Sequence, residues 1–127
     1  MSGVLEGDCI SWTARNVNCG DEIRLYLSMD DENIITQVAF TSQGCAISKS
    51  SASLMTGVVK GLHIGSACKL IECFGRLVRG TATEEDRSAV GEAGLMSGVA
   101  DFPRRVRCAE LAWDALAIIL FNQAAKR

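Results

Sequence analysis

The sequence predicts an α+β fold, with a three-stranded antiparallel sheet packed by several helices. Two observations carry this prediction. The first third of the chain alternates apolar and polar residues between turn residues, which is typical of strands. After Gly44 the apolar residues recur at three-, four- and seven-residue steps, which is typical of helices. At 127 residues the chain fits a single domain, over residues 1–127, that can bury a sizeable core without disulfides.

Three strands are expected in sequence order. The alternation in ISWTA predicts an edge strand over residues 8–15. The segments EIRLYLSM (residues 22–29) and IITQVAF (residues 34–40) predict two clearer strands, joined by the polar turn DDEN. Three consecutive strands with short connections predict an antiparallel meander.

The helices follow. A first helix is expected from Cys45 until Lys60-Gly61 signals its end, and its apolar face is formed by Ile47, Leu54, Met55, Val58 and Leu62. A second helix is predicted over residues 65–79 and closed by Gly80.

The last third of the chain is less regular. A charged connector is expected over residues 81–92, followed by a short helical piece over residues 93–99. Pro103, the only proline, is expected to stiffen the approach to a long final helix. On this interpretation Cys108 lies at or just before the first turn of that helix.

Composition excludes several classes of partner. The chain has 13 basic and 15 acidic residues, a formal net charge of −2 and no long block of like charge, so neither nucleic acid nor an anionic membrane is expected to bind. No apolar run approaches the roughly 20 residues that span a bilayer, and the amino terminus lacks the pattern of a secretory signal. We therefore expect a cytoplasmic protein whose partners are proteins or small ions.

The six cysteines need an explanation in such a protein. Disulfides are rare in a reducing cytosol, so each cysteine is a small buried side chain, a metal ligand or a reactive thiol. Helix amino termini favour thiolates, as does a glycine turn with free N–H groups, which makes Cys19, Cys45 and Cys108 the candidates. Buried or half-buried packing is the interpretation for Cys9, Cys68 and Cys73.

Three segments carry a family resemblance: NCGDEIRL, GCAISKSSASLMTGVVKG and FPRRVRCAELAWDAL. They resemble the iron–sulfur cluster assembly scaffold family that includes IscU, SufU and the amino-terminal domain of NifU, over residues 18–116. The resemblance implies a SufE/NifU-like fold and a single site for zinc or for iron in a 2Fe–2S cluster. The residues that match the family's ligands are Cys19, Asp21, Cys45 and Cys108.

The resemblance points to the SufU type. Arg107 stands where IscU-type members have a histidine, and the stretch between the second and third motifs resembles the extra segment of SufU. The family's usual amino-terminal helix has no counterpart in the residues before Cys19, which affects part of the expected docking surface for a desulfurase.

The residues fit this chemistry independently of the name. Three thiolates and one carboxylate make a four-coordinate site for zinc, and the same soft donors suit an iron–sulfur cluster. Asp21, the hardest donor, is expected to be the exchangeable ligand. Gly20 allows the turn that brings Cys19 and Asp21 to one ion. Arg104, Arg105 or Arg107 could neutralise the residual negative charge, or could form a protein-docking patch.

Two functions of different classes remain open. In one, the protein is a zinc-dependent sulfurtransferase that accepts persulfide sulfur from a SufS-like cysteine desulfurase on Cys19. In the other, it is a scaffold without turnover of its own that assembles a labile 2Fe–2S cluster, accepts sulfur on Cys108 and passes the cluster to downstream acceptor proteins. A third possibility, a cysteine hydrolase, would need the only histidine, His63, beside one of these thiols.

Overall fold

A computed structural model describes residues 9–16 and 20–125 of the chain. Its three strands are β1 (Ile10–Asn16), β2 (Asp21–Met29) and β3 (Ile35–Gln43), and they form one antiparallel sheet in the order β1-β2-β3. The predicted meander is confirmed. Strand β3 runs three residues further than the sequence predicted, to Gln43.

Strand β2 fixes the orientation of the sheet. Ile23, Leu25 and Leu27 have no solvent exposure, whereas Arg24 between them is exposed. Because side chains alternate across a strand, the odd-numbered residues of β2 all face the helices. The turn before β3 is held by Asp30, whose Oδ1 accepts hydrogen bonds from the backbone N–H groups of Glu32 and Ile34, both at 2.9 Å.

The described residues form four α-helices, of which the first and the last pack on the sheet. They are α1 (Ala46–Val59), α2 (Ile64–Arg79), α3 (Glu84–Val90) and α4 (Pro103–Ala125), and a run of 3₁₀ turns over Gly91–Asp101 connects α3 to α4. Helices α1 and α2 lie within one residue of the predicted bounds, and Gly80 closes α2 with φ of +80°. The predicted piece at residues 93–99 is the middle of the 3₁₀ segment.

Two predictions about the helices were wrong. Residues 81–92 are not a plain connector, because α3 begins inside them. Thr83 and Asp86 form a reciprocal capping box, in which the Thr83 hydroxyl accepts from the Asp86 N–H at 3.2 Å. Such a box satisfies N–H groups that a short helix otherwise leaves unpaired.

The start of α4 is the second correction. The helix begins at Pro103 itself, because proline tolerates the first helical position, where its missing N–H costs nothing. Cys108 therefore lies in the second turn of α4 and not near its amino terminus.

The buried face of α1 agrees with the prediction only in part. Met55 is buried as expected, whereas the other predicted residues are half-buried, namely Ile47, Leu54, Val58 and Leu62. The residues that are buried are Ser48, Ser51, Ala52, Met55, Thr56 and Val59. Polar side chains in a core are stable only when they are hydrogen-bonded, so the two serines need partners.

The core is continuous between the sheet and the helices. Trp113 of α4 stacks on Phe74 of α2, with ring centroids 4.1 Å apart and planes 10° apart. No helix in the described part of the chain is both long enough and apolar enough to cross a membrane.

Candidate metal centre

Asp21 is the first residue of β2 and lies on its buried face. Side chains alternate along a strand, and Asp21 lies on the same side of β2 as the buried residues Ile23, Leu25 and Leu27. Its carboxylate therefore points inward. Only 1% of Asp21 is exposed. A buried carboxylate is costly unless hydrogen bonds or a cation compensate it.

Cys45 reaches Asp21 from the connection between β3 and α1. It is the N-cap residue of α1, as predicted, and its backbone N–H donates to Asp21 Oδ1 at 2.7 Å. Gly44 makes this approach possible. It has φ of +120°, and an added Cβ would lie 2.0 Å from Asp21 Oδ1 and 2.7 Å from the Asp21 Cα. No other residue type fits between the turn and the aspartate.

Cys108 comes from α4 and is completely buried. One ligand atom each from Asp21, Cys45 and Cys108 lies within 4.8 Å of the others. The Asn16 amide of β1 donates to Cys108 Sγ at 3.9 Å. Three distant segments of the chain therefore place two sulfurs and one carboxylate around one point.

Ser48 completes the hydrogen bonding around the carboxylate. Its hydroxyl donates to Asp21 Oδ2 at 3.0 Å and lies 3.5 Å from Cys45 Sγ. The Cys45 thiol also donates to Asp21 Oδ2, at 3.4 Å. Ser48 is thus one of the two buried serines of α1, and its partners are two of the predicted ligands.

These contacts lower the pKa of two of the groups. Burial by itself raises the pKa of Asp21, but donors from Cys108, Cys45 and Ser48 outweigh it and bring the pKa below its ordinary value. Burial likewise raises the pKa of the Cys45 thiol, and the Ser48 hydroxyl, the Ser48 backbone N–H and the Cys108 thiol outweigh it. The geometry favours negative charge on both groups.

Cys108 behaves in the opposite way. Burial, followed by its hydrogen bonds to Asp21 and Cys45, raises the pKa of the Cys108 thiol to about 12. The Cys108 thiol therefore holds its proton more firmly than a thiol in water does. Any ion that takes all three ligands must displace that proton.

No cation of the protein balances this charge among the described residues. The ion pairs they form link Arg15 to Glu22, Arg76 to Asp86 and Arg79 to Glu110. Burial raises the pKa of Glu110 and of Asp114, and the charge of the exposed Arg107 offsets part of that rise. Arg107 thus acts on these two carboxyl groups. Adjacent residues on a helix point about 100° apart, so Arg107 faces solvent while Cys108 faces the core.

The other candidate counterions lie elsewhere. Arg105 is exposed, and the side chain of Arg104 lies outside the described residues. The expectation that this arginine cluster neutralises the site has no support in the described contacts. The donor set itself fits a metal ion, because buried thiols and a carboxylate with no protein cation are the ligands that zinc and iron take.

The fourth predicted ligand, Cys19, lies outside the described residues, so its place in the site stays a prediction. Gly20 next to it has φ of +70°, in the left-handed region that glycine adopts easily. This agrees with the tight turn that the sequence predicted before Asp21.

The remaining thiols lie elsewhere. Cys9 directly precedes β1 and is half-buried, and Cys73 in α2 is half-buried, both as expected. Cys68 is exposed, so the prediction that it packs in or against the core was wrong. Partial desolvation and the charge of Glu72 raise the pKa of Cys68, and burial beside Asp86 raises the pKa of Cys73, so neither is an activated thiol.

His63 has a local role. It is the N-cap residue of α2, and its Nδ1 accepts a hydrogen bond from the Gly65 N–H at 3.0 Å. A histidine acting as a general base needs a free ring-nitrogen lone pair to accept the proton of its nucleophile, and the Nδ1 lone pair of His63 is already used by Gly65. The hydrolase interpretation therefore has no support in the structure.

Sequence reasoning missed three residues of this centre: Asn16, Gly44 and Ser48. Only Gly44 gave a usable signal, because a glycine directly before a predicted ligand indicates close backbone approach. Asn16 and Ser48 are ordinary polar residues in the sequence, and only the packing of β1, β2 and α1 brings them to the ligands.

Comparison with known proteins agrees with this geometry. The family model described as NifU-like N terminal domain matches residues 2–117. A Streptococcus pyogenes protein named iron–sulfur cluster assembly scaffold protein IscU is 41% identical over 101 residues, which are 80% of this chain and 62% of that protein. A Bacillus subtilis protein named zinc-dependent sulfurtransferase SufU is 38% identical over 114 residues, covering 90% of this chain and 76% of that protein.

The fold has matching solved structures as well. A crystal structure of a candidate iron–sulfur cluster assembly scaffold protein for the SUF system, from Fervidobacterium islandicum, superposes with a TM-score of 0.86 at 29% identity. The superposition covers 94% of this chain and 85% of that one. On the motifs, the fold and these matches together, this chain belongs to the NifU-like N-terminal domain family, alongside proteins named IscU and SufU.

Proposed function

We propose that the chain is an iron–sulfur cluster assembly protein of SufU type. It binds zinc or iron through Cys19, Asp21, Cys45 and Cys108, and it accepts persulfide sulfur from a cysteine desulfurase. One observation carries this proposal: ligand atoms of Asp21, Cys45 and Cys108 lie within 4.8 Å of one another although they come from three separate elements. The name of the Bacillus subtilis relative supports the zinc-dependent form.

The ligands divide the work of metal binding. Three thiolates and a carboxylate suit tetrahedral zinc, which when bound keeps its thiolate ligands deprotonated. The contacts of the site lower the pKa of Asp21 and of the Cys45 thiol, so both groups give up a proton more readily. Cys108 must give up its proton, so metal uptake releases protons and strengthens as pH rises.

Sulfur acceptance is a thiol exchange without net oxidation. The acceptor thiolate attacks the terminal sulfur of the desulfurase persulfide and forms a new sulfur–sulfur bond. The bond from that sulfur to the desulfurase cysteine breaks, and that cysteine leaves as a thiolate. We assign Cys19 as the acceptor, since a fully buried thiol with a pKa of about 12, such as Cys108, is a poor nucleophile before the site rearranges.

The second candidate is a scaffold that holds a labile 2Fe–2S cluster as its cargo, on the same four residues. The name of the Streptococcus pyogenes relative favours it, as does the sulfur-rich donor set. In this form Cys108 accepts the sulfur, and the cluster passes to downstream acceptor proteins. Both candidates need a cysteine desulfurase as partner.

Metal and acid-labile sulfide content distinguishes the candidates. The protein is purified without oxygen and dialysed exhaustively before analysis. About one zinc per chain without sulfide supports sulfur transfer, whereas iron with matching sulfide supports the scaffold. A chain that holds neither metal, and takes up neither when it is added back, contradicts the proposal.

A persulfide-trapping experiment tests the acceptor. The protein is incubated with a SufS-like desulfurase and cysteine, alkylated and analysed by mass spectrometry. Added sulfur on Cys19 is expected, and it should disappear in Cys19→Ser. The control is Cys68→Ser, which removes an exposed thiol outside the site and should leave the labelling unchanged. Equal labelling of Cys68 would indicate non-specific transfer and contradict the assignment.

A further inference from the structure

The second buried serine of α1, Ser51, links the two helices that carry the described sulfurs. Its hydroxyl donates to the Ala109 carbonyl of α4 at 2.6 Å and accepts from the Trp113 indole N–H at 3.1 Å. Ser51 and Ala109 have no exposure, and Trp113 has 2%. The Ser51 hydroxyl therefore makes one donated and one accepted hydrogen bond, and both partners belong to α4.

The position of this link along both helices is informative. On α4 it joins Ala109, which directly follows Cys108 in sequence. On α1 it lies less than two turns from Cys45, which caps that helix. The hydrogen bonds of Ser51 therefore join the helix that Cys45 caps to the helix that carries Cys108.

Apart from the hydrogen bonds among the ligands themselves, the described contact between α1 and α4 includes apolar side chains such as Ala52, Met55 and Ala112. Apolar contact is not directional, so it sets the sulfur positions with less definition. Hydrogen bonds restrict both distance and angle. Trp113 is itself held by its stack on Phe74 of α2, which keeps the indole N–H aimed at Ser51.

We propose that Ser51 is a positioning residue that sets the separation of the Cys45 and Cys108 sulfurs by tying α1 to α4. The inference rests on the proposed metal-binding function, since a metal accepts its ligands only within a few tenths of an ångström. The competing explanation is that Ser51 only adds to the stability of the core.

The test compares variants of equal structural cost. Ser51→Ala removes the link, Ser51→Thr keeps the hydroxyl, and Trp113→Phe removes only the indole donor while it keeps the stacking ring. The matched control is Val59→Ala, which creates a defect in the same buried face at the far end of α1. Melting temperatures of the variants report the general loss of stability.

The first readout is cobalt titration of the metal-free proteins. Energies of the cobalt d–d bands report the ligand geometry, and competition with a chelator gives the affinity. Ser51→Ala is expected to bind about 10-fold or more weakly, with shifted bands, as outer-shell variants do. Trp113→Phe should lose less, and Ser51→Thr should restore both quantities. Val59→Ala should melt earlier and keep the wild-type spectrum.

The second readout needs no metal. In a background with Cys9, Cys19, Cys68 and Cys73 changed to Ser, phenylarsine oxide binds tightly only if the Cys45 and Cys108 sulfurs stay close together. Its equilibrium affinity should fall in Ser51→Ala and hold in Val59→Ala. If wild-type protein binds no cobalt, the proposed function fails, and the arsenical still tests the positioning role.

Two results would overturn the inference. One is a Ser51→Ala protein with the wild-type spectrum and the wild-type arsenical affinity. The other is an equal loss in Ser51→Ala and Val59→Ala, which would assign Ser51 to stability alone. If Ser51→Ala does not fold, the cobalt spectrum and arsenical affinity of Trp113→Phe are compared with those of Val59→Ala. An equal loss in these two variants would likewise overturn the inference.

Discussion

The described residues include two clusters in which at least one thiol lies beside a buried carboxylate, and the clusters differ in how the carboxylate is neutralised. In the metal centre, Asp21 accepts hydrogen bonds from the Cys45 N–H and the Ser48 hydroxyl. In the second, the α2–α3 cluster of Cys73, Arg76 and Asp86, the guanidinium donates twice to Asp86, both times at 2.8 Å.

A thiol near a buried carboxylate does not by itself make a metal centre, because a protein cation can neutralise the carboxylate instead. Arg76 already supplies the positive charge in the α2–α3 cluster, and its Nη2 also donates to Cys73 Sγ at 3.6 Å. No ion pair among the described residues serves Asp21. Asp21 therefore has no protein cation among the described residues, whereas Asp86 has Arg76. A metal ion could supply the positive charge only at Asp21.

The largest expected effect tests the turn that builds the metal centre. Gly44→Ala forces a Cβ to within 2.0 Å of Asp21 Oδ1 and strains a positive φ, so we expect a loss of about 3 kcal/mol or more in the free energy of unfolding, with loss of metal. Urea unfolding measures it. The control is Gly57→Ala in α1, which meets no atom within 4 Å and should gain up to about 1 kcal/mol. Equal stability of the two variants would contradict the close approach at Gly44.

The next prediction separates the two clusters directly. Cys19→Ser, Cys45→Ser and Cys108→Ser should each weaken zinc binding by at least about 100-fold, because ligand loss exceeds the effect of outer-shell changes. Chelator competition measures the affinity. The matched controls are the remaining three thiols, Cys9, Cys68 and Cys73, whose change to Ser should leave zinc affinity nearly unchanged. Equal losses at all six positions would contradict the site assignment.

Asp21 gives a smaller effect on affinity and a kinetic one. We expect Asp21→Ala to keep most of its metal, because the three thiolates remain, but to exchange metal and turn over sulfur more slowly, because the exchangeable ligand is gone. Stopped-flow transfer of zinc to a chelator measures the rate. Asp21→Asn preserves the shape and serves as control. Faster exchange in Asp21→Ala would remove the idea that this ligand is the one that opens.

The α2–α3 cluster should appear in the acid stability of the protein. The hydrogen bonds from Arg76 hold the pKa of Asp86 well below its ordinary value. A carboxylate with a depressed folded pKa contributes stability that is present above its unfolded pKa, about 3.9, and is lost as pH falls toward the folded value. Wild-type protein should therefore lose its stability advantage over Asp86→Asn between about pH 4 and pH 2, as measured by urea unfolding. A constant difference across that window would contradict the ion pair.

The smallest expected effect concerns His63. Removing the N-cap acceptor of α2 in His63→Ala should cost about 1 kcal/mol of stability and should not change metal affinity or sulfur acceptance. Thermal unfolding and zinc competition measure the two quantities. Loss of activity at unchanged stability would instead support a hydrolase.

Local sequence patterns were enough to predict the three strands, the two regular helices α1 and α2, and the motifs that carry the candidate ligands. Period-two alternation predicted β2 from Glu22 onward, because alternation follows from local backbone geometry, and only the structure added Asp21 as its first residue, on the buried face. The glycine-flanked Cys45 at the start of α1 was predictable for the same reason. These features depend on neighbours within a few residues.

Which polar residues of α1 are buried depends on the tertiary structure. Ser48 and Ser51 lie in the core because Asp21 and α4 offer them hydrogen bonds, and both partners are remote in sequence. The burial of Cys108, and with it the high pKa of its thiol, likewise depends on how α4 packs on α1 and β2. Periodicity records which face of a helix is apolar, whereas the partners of a buried hydroxyl or thiol are fixed only when distant segments meet.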